Sequence, residues 1–233
     1  MSTITVHWPR HALGRRWDRG AGLGWLTTGE REIYGAFRDA SRRQAWLLGR
    51  LLAKEVVLDR ALRTTPTQSD AGRLEVCSRD GLGRAIAPRV FLDGRVQPWS
   101  LSIAHSDASI LVALSCDAGV WVGADVVPRD AFGAHGLDGW LTQRELAWLS
   151  TVPVVERPAR ASILWAIKEA TYKAVGGGGR FVPRRLEACA GPEDSWHALV
   201  DGRAIRALVG VATTETEVTA VVTVGGPLSE ASR

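Results

Sequence analysis

The sequence predicts an α+β protein made of two halves of similar size. In each half, segments with helical patterning are followed by segments with strand patterning. The turn sequence Asp117-Ala118-Gly119 lies near the middle of the 233 residues and divides the chain into 1–117 and 118–233. The last strands are joined by short turns, which is typical of antiparallel pairing. No sequence repeat between the halves is evident.

The N-terminal half begins with a predicted strand that Pro9 ends, followed by a glycine-rich stretch, 14–24, that we read as a loop. Thr27 or Thr28 is expected to cap a first helix and Ser41 a second. The predicted elements, in order, are the strand Ile4–Trp8, helices over 30–37 and 42–58, a strand over 73–77, a turn cluster over 78–83, a strand over 90–92 closed by Asp93-Gly94, and a hairpin of strands over 99–105 and 110–115.

The C-terminal half starts with the apolar run 120–127, a strand that Pro128 ends. Thr142 with Glu145 three residues later forms a capping-box pattern for a helix through Leu149. A helix through 165–175 is expected to end at the glycines 176–179. The loop 181–185 follows, and strands are predicted over 196–200, 204–212 and 217–224.

Composition excludes several classes of protein. The net charge of +4 is mild and favours acidic partners over nucleic acid. The cysteines Cys77, Cys116 and Cys189 are too widely spaced for a zinc motif and indicate reduced thiols in a cytoplasmic protein. Neither a signal peptide nor a membrane span is predicted, so we expect no membrane partner.

The helix over 165–175 has two different faces. One face is an apolar stripe that includes Ile163, Ile167, Ala170 and Ala174. The other carries Trp165, Lys168, Glu169, Tyr172 and Lys173, which include two of only three lysines in an arginine-rich chain. This second face is either a solvated surface with an i, i+4 pair between Glu169 and Lys173, or the wall of a site.

Charged residues elsewhere point to an anionic ligand with a metal. Asp125 lies in an apolar strand and must be hydrated, paired or bound to a cation. Asp125 and Glu169 together with phosphate oxygens and water suit octahedral Mg²⁺. Lys168 and Lys173 could hold the phosphates. Further anion candidates are Arg42, Arg43 and His105, although solvated arginines and a core histidine are the simpler explanations for these three.

Three motifs resemble those of the Sfp-type 4′-phosphopantetheinyl transferases. They are Ser-Ile-Ala-His-Ser at 102–106, Gly-Ala-Asp-Val-Val at 123–127 and Trp-Ala-Ile-Lys-Glu-Ala-Thr-Tyr-Lys at 165–173. Their order and spacing are similar to the family's Ser-x-Ser-His-Ser, Gly-Ile-Asp-x-Glu and Trp-x-x-Lys-Glu-x-x-x-Lys signatures. The third motif is the most specific, and the resemblance covers roughly residues 25 to 225.

The resemblance implies a monomer with two similar subdomains related by a pseudo-twofold axis, each a small, mostly antiparallel sheet packed by helices. It also implies an active site in the cleft between them, with coenzyme A as co-substrate and Mg²⁺, or alternatively Mn²⁺, as the metal. The implied reaction moves the phosphopantetheine arm to a serine of an acidic acyl or peptidyl carrier protein and releases adenosine 3′,5′-bisphosphate. Residues 1–117 would then bind the 3′-phosphate, and residues 118–233 the metal and pyrophosphate.

Carried over by position, the resemblance assigns roles to single residues. Asp125 and Glu169 would bind the metal, and Glu169 would also accept the serine proton. Lys168 and Lys173 would neutralise the pyrophosphate. His105 and Ser106 would contact a phosphate of coenzyme A, with Arg42, Arg43 and Arg89 as substitutes for absent lysines. Trp165 would orient its helix.

The sequence departs from the family pattern at three places, and these departures keep other functions open. Val127 stands where the family has a second acid, Ala104 replaces a serine, and Ala87-Pro88 replaces a Lys-Pro element. One alternative is a non-catalytic module of the same fold that binds coenzyme A or a carrier protein. Another is a metal-independent hydrolase in which the two carboxylates act as acid and base.

Overall fold

The computed structural model describes residues 3–17, 19–79, 85–133, 136–176, 180–193 and 195–225. The chain divides into two compact units, Met1–Ala118 and Gly119–Arg233. Both units combine helices with small antiparallel sheets, which confirms the predicted α+β class. The predicted twofold relation between the units and the roles assigned to the two halves stay predictions.

The first unit contains six strands and five α-helices in the part of the chain that the structure describes. They are β1 (Thr3–Pro9), α1 (Arg10–Arg16), α2 (Arg19–Gly24), α3 (Thr28–Ala36), α4 (Ala40–Val56), α5 (Gln68–Arg73), β2 (Leu74–Arg79), β3 (Ala85–Leu92), β4 (Arg95–Val96), β5 (Ser100–His105) and β6 (Ser109–Ser115), with a π-helical turn Val57–Ala61 after α4.

The second unit contains six strands and two α-helices within the described ranges. They are β7 (Val120–Pro128), α6 (Gln143–Thr151), α7 (Arg157–Ala174), β8 (Leu186–Ala190), β9 (Trp196–Val200), β10 (Arg203–Ala204), β11 (Ala207–Thr213) and β12 (Glu217–Gly225), with 3₁₀ turns at Leu137–Gly139, Val154–Glu156 and Pro183–Arg185.

The two units share one topology. Each has a sheet whose central strand is the last of the unit, β6 or β12, with the unit's first strand on one side and the penultimate strand on the other. Each also has a second sheet, β2-β3-β4 or β8-β9-β10. All of these pairings are antiparallel. A long helix, α4 or α7, packs on the sheets of each unit.

This shared topology reveals a short sequence repeat, so our expectation of no repeat was wrong. The sequence Trp-Leu-Thr-x-x-Glu occurs at 25–30, before and within α3, and again at 140–145, before and within α6. A Lys-Glu pair follows at 54–55 in α4 and at 168–169 in α7. Only a few positions recur over a long interval, and the common topology is what aligns them.

Helix capping follows the predicted pattern at two of three places. Thr27 and Thr142 each form a capping box, with Glu30 and Glu145 respectively. The predicted cap of the second helix at Ser41 was wrong, because α4 begins at Ala40 and the Asp39 carboxylate accepts from the Arg42 amide at 2.6 Å. An aspartate is as good an N-cap as a serine, so propensity alone could not place the boundary.

Other differences from the prediction have physical causes. The described part of the stretch 14–24, predicted as a loop, is largely helical, in α1 and α2. Leu13, Trp17 and Leu23 pack in or against the core of the first unit, and this burial outweighs the poor helix propensity of glycine. Strand β8 was missed, and the strand predicted over 204–212 is divided into β10 and β11. Most of the turn cluster over 78–83, and glycines 177–179, lie outside the described residues.

The core of the second unit confirms the apolar stripe of α7. Ile163, Ile167, Ala170 and Ala174 are all buried against residues of β12. At Gly123 in β7 the helix approaches so closely that a Cβ atom would lie 1.8 Å from the Ala170 carbonyl oxygen. Glycine is therefore required there, and the crossing brings the next strand residues close to α7.

Candidate functional site

Asp125 is a buried carboxylate on the strand β7. It pairs in register with Ala220 of β12, and only 6% of its surface is exposed. The alternation of strand side chains places it on the same face as Gly123, where α7 crosses. The strand thus directs a carboxylate towards the helix that carries Glu169 and Lys173.

The Lys173 ammonium lies between the two carboxylates. Its Nζ donates to Asp125 Oδ1 at 2.7 Å and to the Ala124 carbonyl oxygen at 3.0 Å. It also lies 3.3 Å from Glu169 Oε2, one helical turn away. The structure therefore brings together the three residues that the sequence assigned to catalysis, Asp125, Glu169 and Lys173.

The electrostatics of this group favour a cation. Burial raises the pKa of Asp125 to about 7; Lys173 acts against this shift, and the neighbouring Glu169 carboxyl adds to it. The second oxygen, Asp125 Oδ2, is buried and has no hydrogen-bond partner among the described residues. A buried carboxylate oxygen without a donor is costly, and a bound cation would remove this cost.

The donor set fits a hard divalent ion. Asp125 and Glu169 supply carboxylate oxygens, and Mg²⁺ is typically held by one or two carboxylates with water and substrate phosphates. Within the described ranges, no group of three or more His, Cys, Asp or Glu side chains forms a complete metal site. The remaining ligands would have to be water and phosphate oxygens.

Val127 occupies the position of the missing second acid. It is partly buried and packs against the core of the second unit. It lies two residues after Asp125 on β7, and so on the same strand face. An apolar side chain there limits the protein ligands from this strand to Asp125.

Lys168 does not join this group. Its Nζ lies 2.6 Å from Glu145 Oε2 and donates to the Trp140 carbonyl oxygen at 2.9 Å, and its side chain is 0% exposed. Desolvation lowers the pKa of Lys168, although Glu145 favours the charged form. The sequence expected the Lys168 ammonium to hold phosphates beside Lys173, but a buried partner from α6, Glu145, draws it inwards and away from this group.

Trp165 belongs to an aromatic cluster on α7. Its ring lies 5.1 Å from the Trp140 ring, 5.3 Å from Phe132 and 5.5 Å from Phe181, measured between centroids. Phe181 also contacts Tyr172, at 5.1 Å. These contacts agree with the expected role of Trp165 in orienting its helix.

His105 and Ser106 lie at the hairpin between β5 and β6, as the sequence predicted. His105 is the exposed last residue of β5 and pairs with Ile110. The Ser106 hydroxyl accepts from the amides of Ala108 and Ser109, at 3.0 and 2.9 Å. This arrangement fixes the turn and leaves the imidazole of His105 at the protein surface.

Arg42 and Arg43 lie in the first turn of α4. Arg42 is exposed, and the Arg43 guanidinium lies 5.5 Å from the centre of the Tyr34 ring. The Asp39 cap supplies a negative charge at this helix end. These arginines therefore need an external anion less than the sequence suggested.

Arg50 is a candidate that the sequence left without a role. It is buried with 5% of its surface exposed, donates to the Ser78 hydroxyl and stacks on the Trp46 ring at 5.0 Å. Its Nε has no hydrogen-bond partner among the described residues. Burial lowers its pKa to about 10. The signal available from sequence was an arginine on the apolar face of a helix, two turns after Arg43.

Comparison with known proteins points to one family. Residues 122–213 match the family model of the 4′-phosphopantetheinyl transferase superfamily. The matched region contains the second and third motifs, with Asp125, Glu169 and Lys173, and confirms the resemblance over this part of the chain, whereas the first motif lies outside it. The match supports phosphopantetheinyl transfer in general. No curated protein matches the chain. Of the helices that the structure describes, none is long and apolar enough to cross a membrane.

Proposed function

We propose, on the basis of the superfamily match over residues 122–213, that this protein transfers the 4′-phosphopantetheine arm of coenzyme A to a serine of an acyl or peptidyl carrier protein. The observation that carries the proposal is the group formed by Asp125, Lys173 and Glu169, assembled from a strand and a helix inside the matched region. The second product is adenosine 3′,5′-bisphosphate.

Asp125 and Glu169 would hold a Mg²⁺ ion, whose charge would stabilise the pyrophosphate as electrons move to the leaving group. The buried, unpartnered Asp125 Oδ2 supports this assignment. Lys173 lies beside both carboxylates and would supply further positive charge to the pyrophosphate oxygens.

Glu169 is the residue that we assign to proton transfer. Its side chain is 29% exposed, whereas that of Asp125 is 8% exposed, so it is the more accessible of the two carboxylates. The serine oxygen forms a bond to the phosphorus next to the pantetheine arm, the bond from this phosphorus to the leaving phosphate breaks, and the serine proton passes to Glu169 directly or through water.

Residues of the first unit would bind the remainder of coenzyme A. The exposed His105 and the arginines Arg42 and Arg43 stay our proposal for its phosphates, together with Ser106. The buried guanidinium of Arg50, with its unpartnered Nε, is a further group suited to an anion. We propose an acidic surface around the carrier's serine, since the chain has a net charge of +4.

One observation favours a second function, a non-catalytic module that binds coenzyme A or a carrier protein. Val127 removes an acid from the strand face that carries Asp125. If two carboxylates hold the metal too weakly for catalysis, the fold would still bind its ligands.

Mass spectrometry of an apo carrier protein separates these functions. The protein is incubated with coenzyme A, Mg²⁺ and a panel of apo carriers from fatty acid, polyketide and nonribosomal peptide synthases. We expect a carrier to gain the mass of one phosphopantetheine group and adenosine 3′,5′-bisphosphate to be released, with loss of both in EDTA.

The matched control is Glu55→Gln beside Glu169→Gln, because both glutamates follow a buried lysine at equivalent positions of the two units. Only Glu169→Gln should abolish transfer. Measurable coenzyme A binding without mass gain on any carrier and without release of adenosine 3′,5′-bisphosphate would favour the non-catalytic module. Release of adenosine 3′,5′-bisphosphate that persists in EDTA, without mass gain on any carrier, would favour a hydrolase.

A further inference from the structure

The Lys168–Glu145 ion pair joins four elements of the second unit. Glu145 caps α6 through Thr142, and its Oε1 accepts from the Ala188 amide of β8 at 2.9 Å. Its Oε2 lies 2.6 Å from Lys168 Nζ, which also donates to the carbonyl oxygen of Trp140. The helices α6 and α7, the strand β8 and the segment before α6 therefore meet at two side chains that are almost fully buried.

The first unit contains the same arrangement. Lys54 Nζ lies 2.5 Å from Glu30 Oε2 and donates to the Trp25 carbonyl oxygen at 2.7 Å. Glu30 caps α3 through Thr27, and its Oε1 accepts from the Val76 amide at 3.0 Å. Each contact of the second unit thus has a counterpart made by the same types of atom, although the amide donor is Ala188 in one unit and Val76 in the other. Lys54 also donates to the Ala71 carbonyl oxygen at 2.9 Å.

The two units differ at the positions around this pair. Val6 stands three residues before Pro9 of β1, as Asp125 stands three residues before Pro128 of β7. Four residues after Glu55 the chain has Asp59, where Lys173 follows Glu169. Glu55 is paired with Arg16 of α1. The first unit therefore keeps the buried pair but lacks the Asp125 and Lys173 of the second.

We infer that Lys168 is a positioning residue, not a phosphate ligand: with Glu145 it fixes the face of α7 that presents Glu169 and Lys173 to Asp125. The inference rests on the proposed function, because that function is what assigns Glu169 and Lys173 on this face to the metal and the phosphates. A lysine needed to bind pyrophosphate would have no reason to recur, with the same buried contacts, in a unit without the other two groups.

The geometry of α7 explains how this positioning operates. At 100° per residue, Glu169 and Lys173 lie 100° and 140° from Lys168, and Ala170 lies at 200°. Ala170 is held against the backbone of β7 at Gly123, and Lys168 is held by Glu145. Two fixed contacts on either side of Glu169 and Lys173 prevent the helix from rotating about its axis.

Lysine side-chain NMR tests the inference, because the chain has only three lysines, Lys54, Lys168 and Lys173. The full-length protein is labelled with ¹⁵N-lysine, and Lys54→Met and Lys168→Met each remove one ammonium signal and so assign it. We expect the Lys173 signal to shift or broaden in Lys168→Met and to keep its wild-type position in Lys54→Met. Both variants lose an equivalent buried pair, so an effect of general destabilisation would appear in both.

Metal binding gives a second measurement that does not depend on activity. Mn²⁺ binding, followed by electron paramagnetic resonance, should weaken at least about tenfold in Lys168→Met, as for other residues that orient metal ligands, and stay unchanged in Lys54→Met. If Lys168→Met does not fold, Glu145→Gln replaces it and should give the same shift of the Lys173 signal. An unchanged Lys173 signal in whichever variant folds overturns the inference.

Titration of the labelled wild-type protein with coenzyme A distinguishes this inference from the proposed function. We expect the Lys173 signal to move, while those of Lys168 and Lys54 stay in place. A Lys168 shift as large as that of Lys173 would establish a phosphate ligand and overturn the inference. If coenzyme A moves none of the three signals, the proposed function fails, and the comparison of the variants still decides the positioning role.

Discussion

Replacing Asp125 by Asn should stabilise the protein at neutral and higher pH in the absence of metal. Burial raises the pKa of this carboxyl from 3.8 to about 7. A carboxyl with a raised pKa favours the folded state while it is protonated, and this contribution is complete below the unfolded-state pKa. It is lost as the pH rises through about 7, because the folded protein must then hold a buried negative charge.

The size of the effect follows from the shift. A rise from 3.8 to about 7 corresponds to at most about 4 kcal/mol of lost stability between about pH 3.5 and pH 8. Asn cannot ionise, and its oxygen can still accept from Lys173, although the attraction between opposite charges disappears. We therefore expect Asp125→Asn to raise the free energy of unfolding by about 1–3 kcal/mol at pH 8 and by close to zero at pH 4.

Urea unfolding of both proteins in EDTA at these two pH values measures the difference. Asp201 provides a control of opposite sign, because its hydrogen bond to Arg185 lowers the pKa of this exposed carboxyl. The contribution of the Asp201 carboxylate to stability is present above its unfolded-state pKa and is lost as the pH falls through the lower, folded-state pKa. Asp201→Asn should therefore not stabilise the protein at pH 8. Added Mg²⁺ should stabilise the wild type and narrow its gap to Asp125→Asn. A wild type that is more stable than Asp125→Asn at pH 8, or a gap that is equal at both pH values, would refute the reasoning.

Three further substitutions test the site. Glu169→Gln should reduce the rate of transfer far more than it reduces coenzyme A binding, because metal binding and proton transfer require the carboxylate, whereas binding of the nucleotide does not. Equal losses in transfer rate and in calorimetric affinity for coenzyme A would contradict this. Val127→Glu should lower the Mg²⁺ concentration that gives half-maximal activity, and an unchanged titration would mean that this side chain does not face the ion. Gly123→Ala should destabilise the fold by at least about 3 kcal/mol in urea unfolding, because its Cβ would lie 1.8 Å from the Ala170 carbonyl oxygen. Gly133→Ala is the control, because the space around its Cβ is open. Similar unfolding midpoints for the two variants would show that strand β7 and helix α7 can separate to accommodate the methyl group.

The sequence predicted the strands β7, β9 and β12 and the helices α6 and α7 to within a few residues, apart from the start of α7. Each has strong periodicity or a clear cap, so local patterning and tertiary packing agree. The stretch 14–24 was predicted wrongly because glycine content reports local propensity only, whereas Trp17 and Leu23 pack with core residues that are distant in sequence. Strand β8 contains Glu187 and Cys189 on one face and lacks a β-branched residue, so its local signal is weak.

The candidate site was predictable in part for a similar reason. Asp125 and Glu169 were recognisable because a carboxylate in an apolar strand and a mixed helix face are both unusual. The placement of Lys168 was not, because helix geometry gives the direction of a side chain's first bond and a four-carbon stem can then turn inwards to a buried partner. Finding its partner Glu145 required knowledge of how α6 packs on α7.

Because the buried lysine–glutamate pair occurs in both units, one unit of the chain can be compared with the other. What both units retain is required by the architecture wherever it occurs, and what one unit retains alone marks the chemistry. For protein engineering, this means that the first unit already has the buried ion pair and lacks only the groups that correspond to Asp125 and Lys173. Val6→Asp and Asp59→Lys, together with removal of the Arg16 side chain from Glu55, would be the starting substitutions for building a copy of the Asp125, Glu169 and Lys173 group in the first unit.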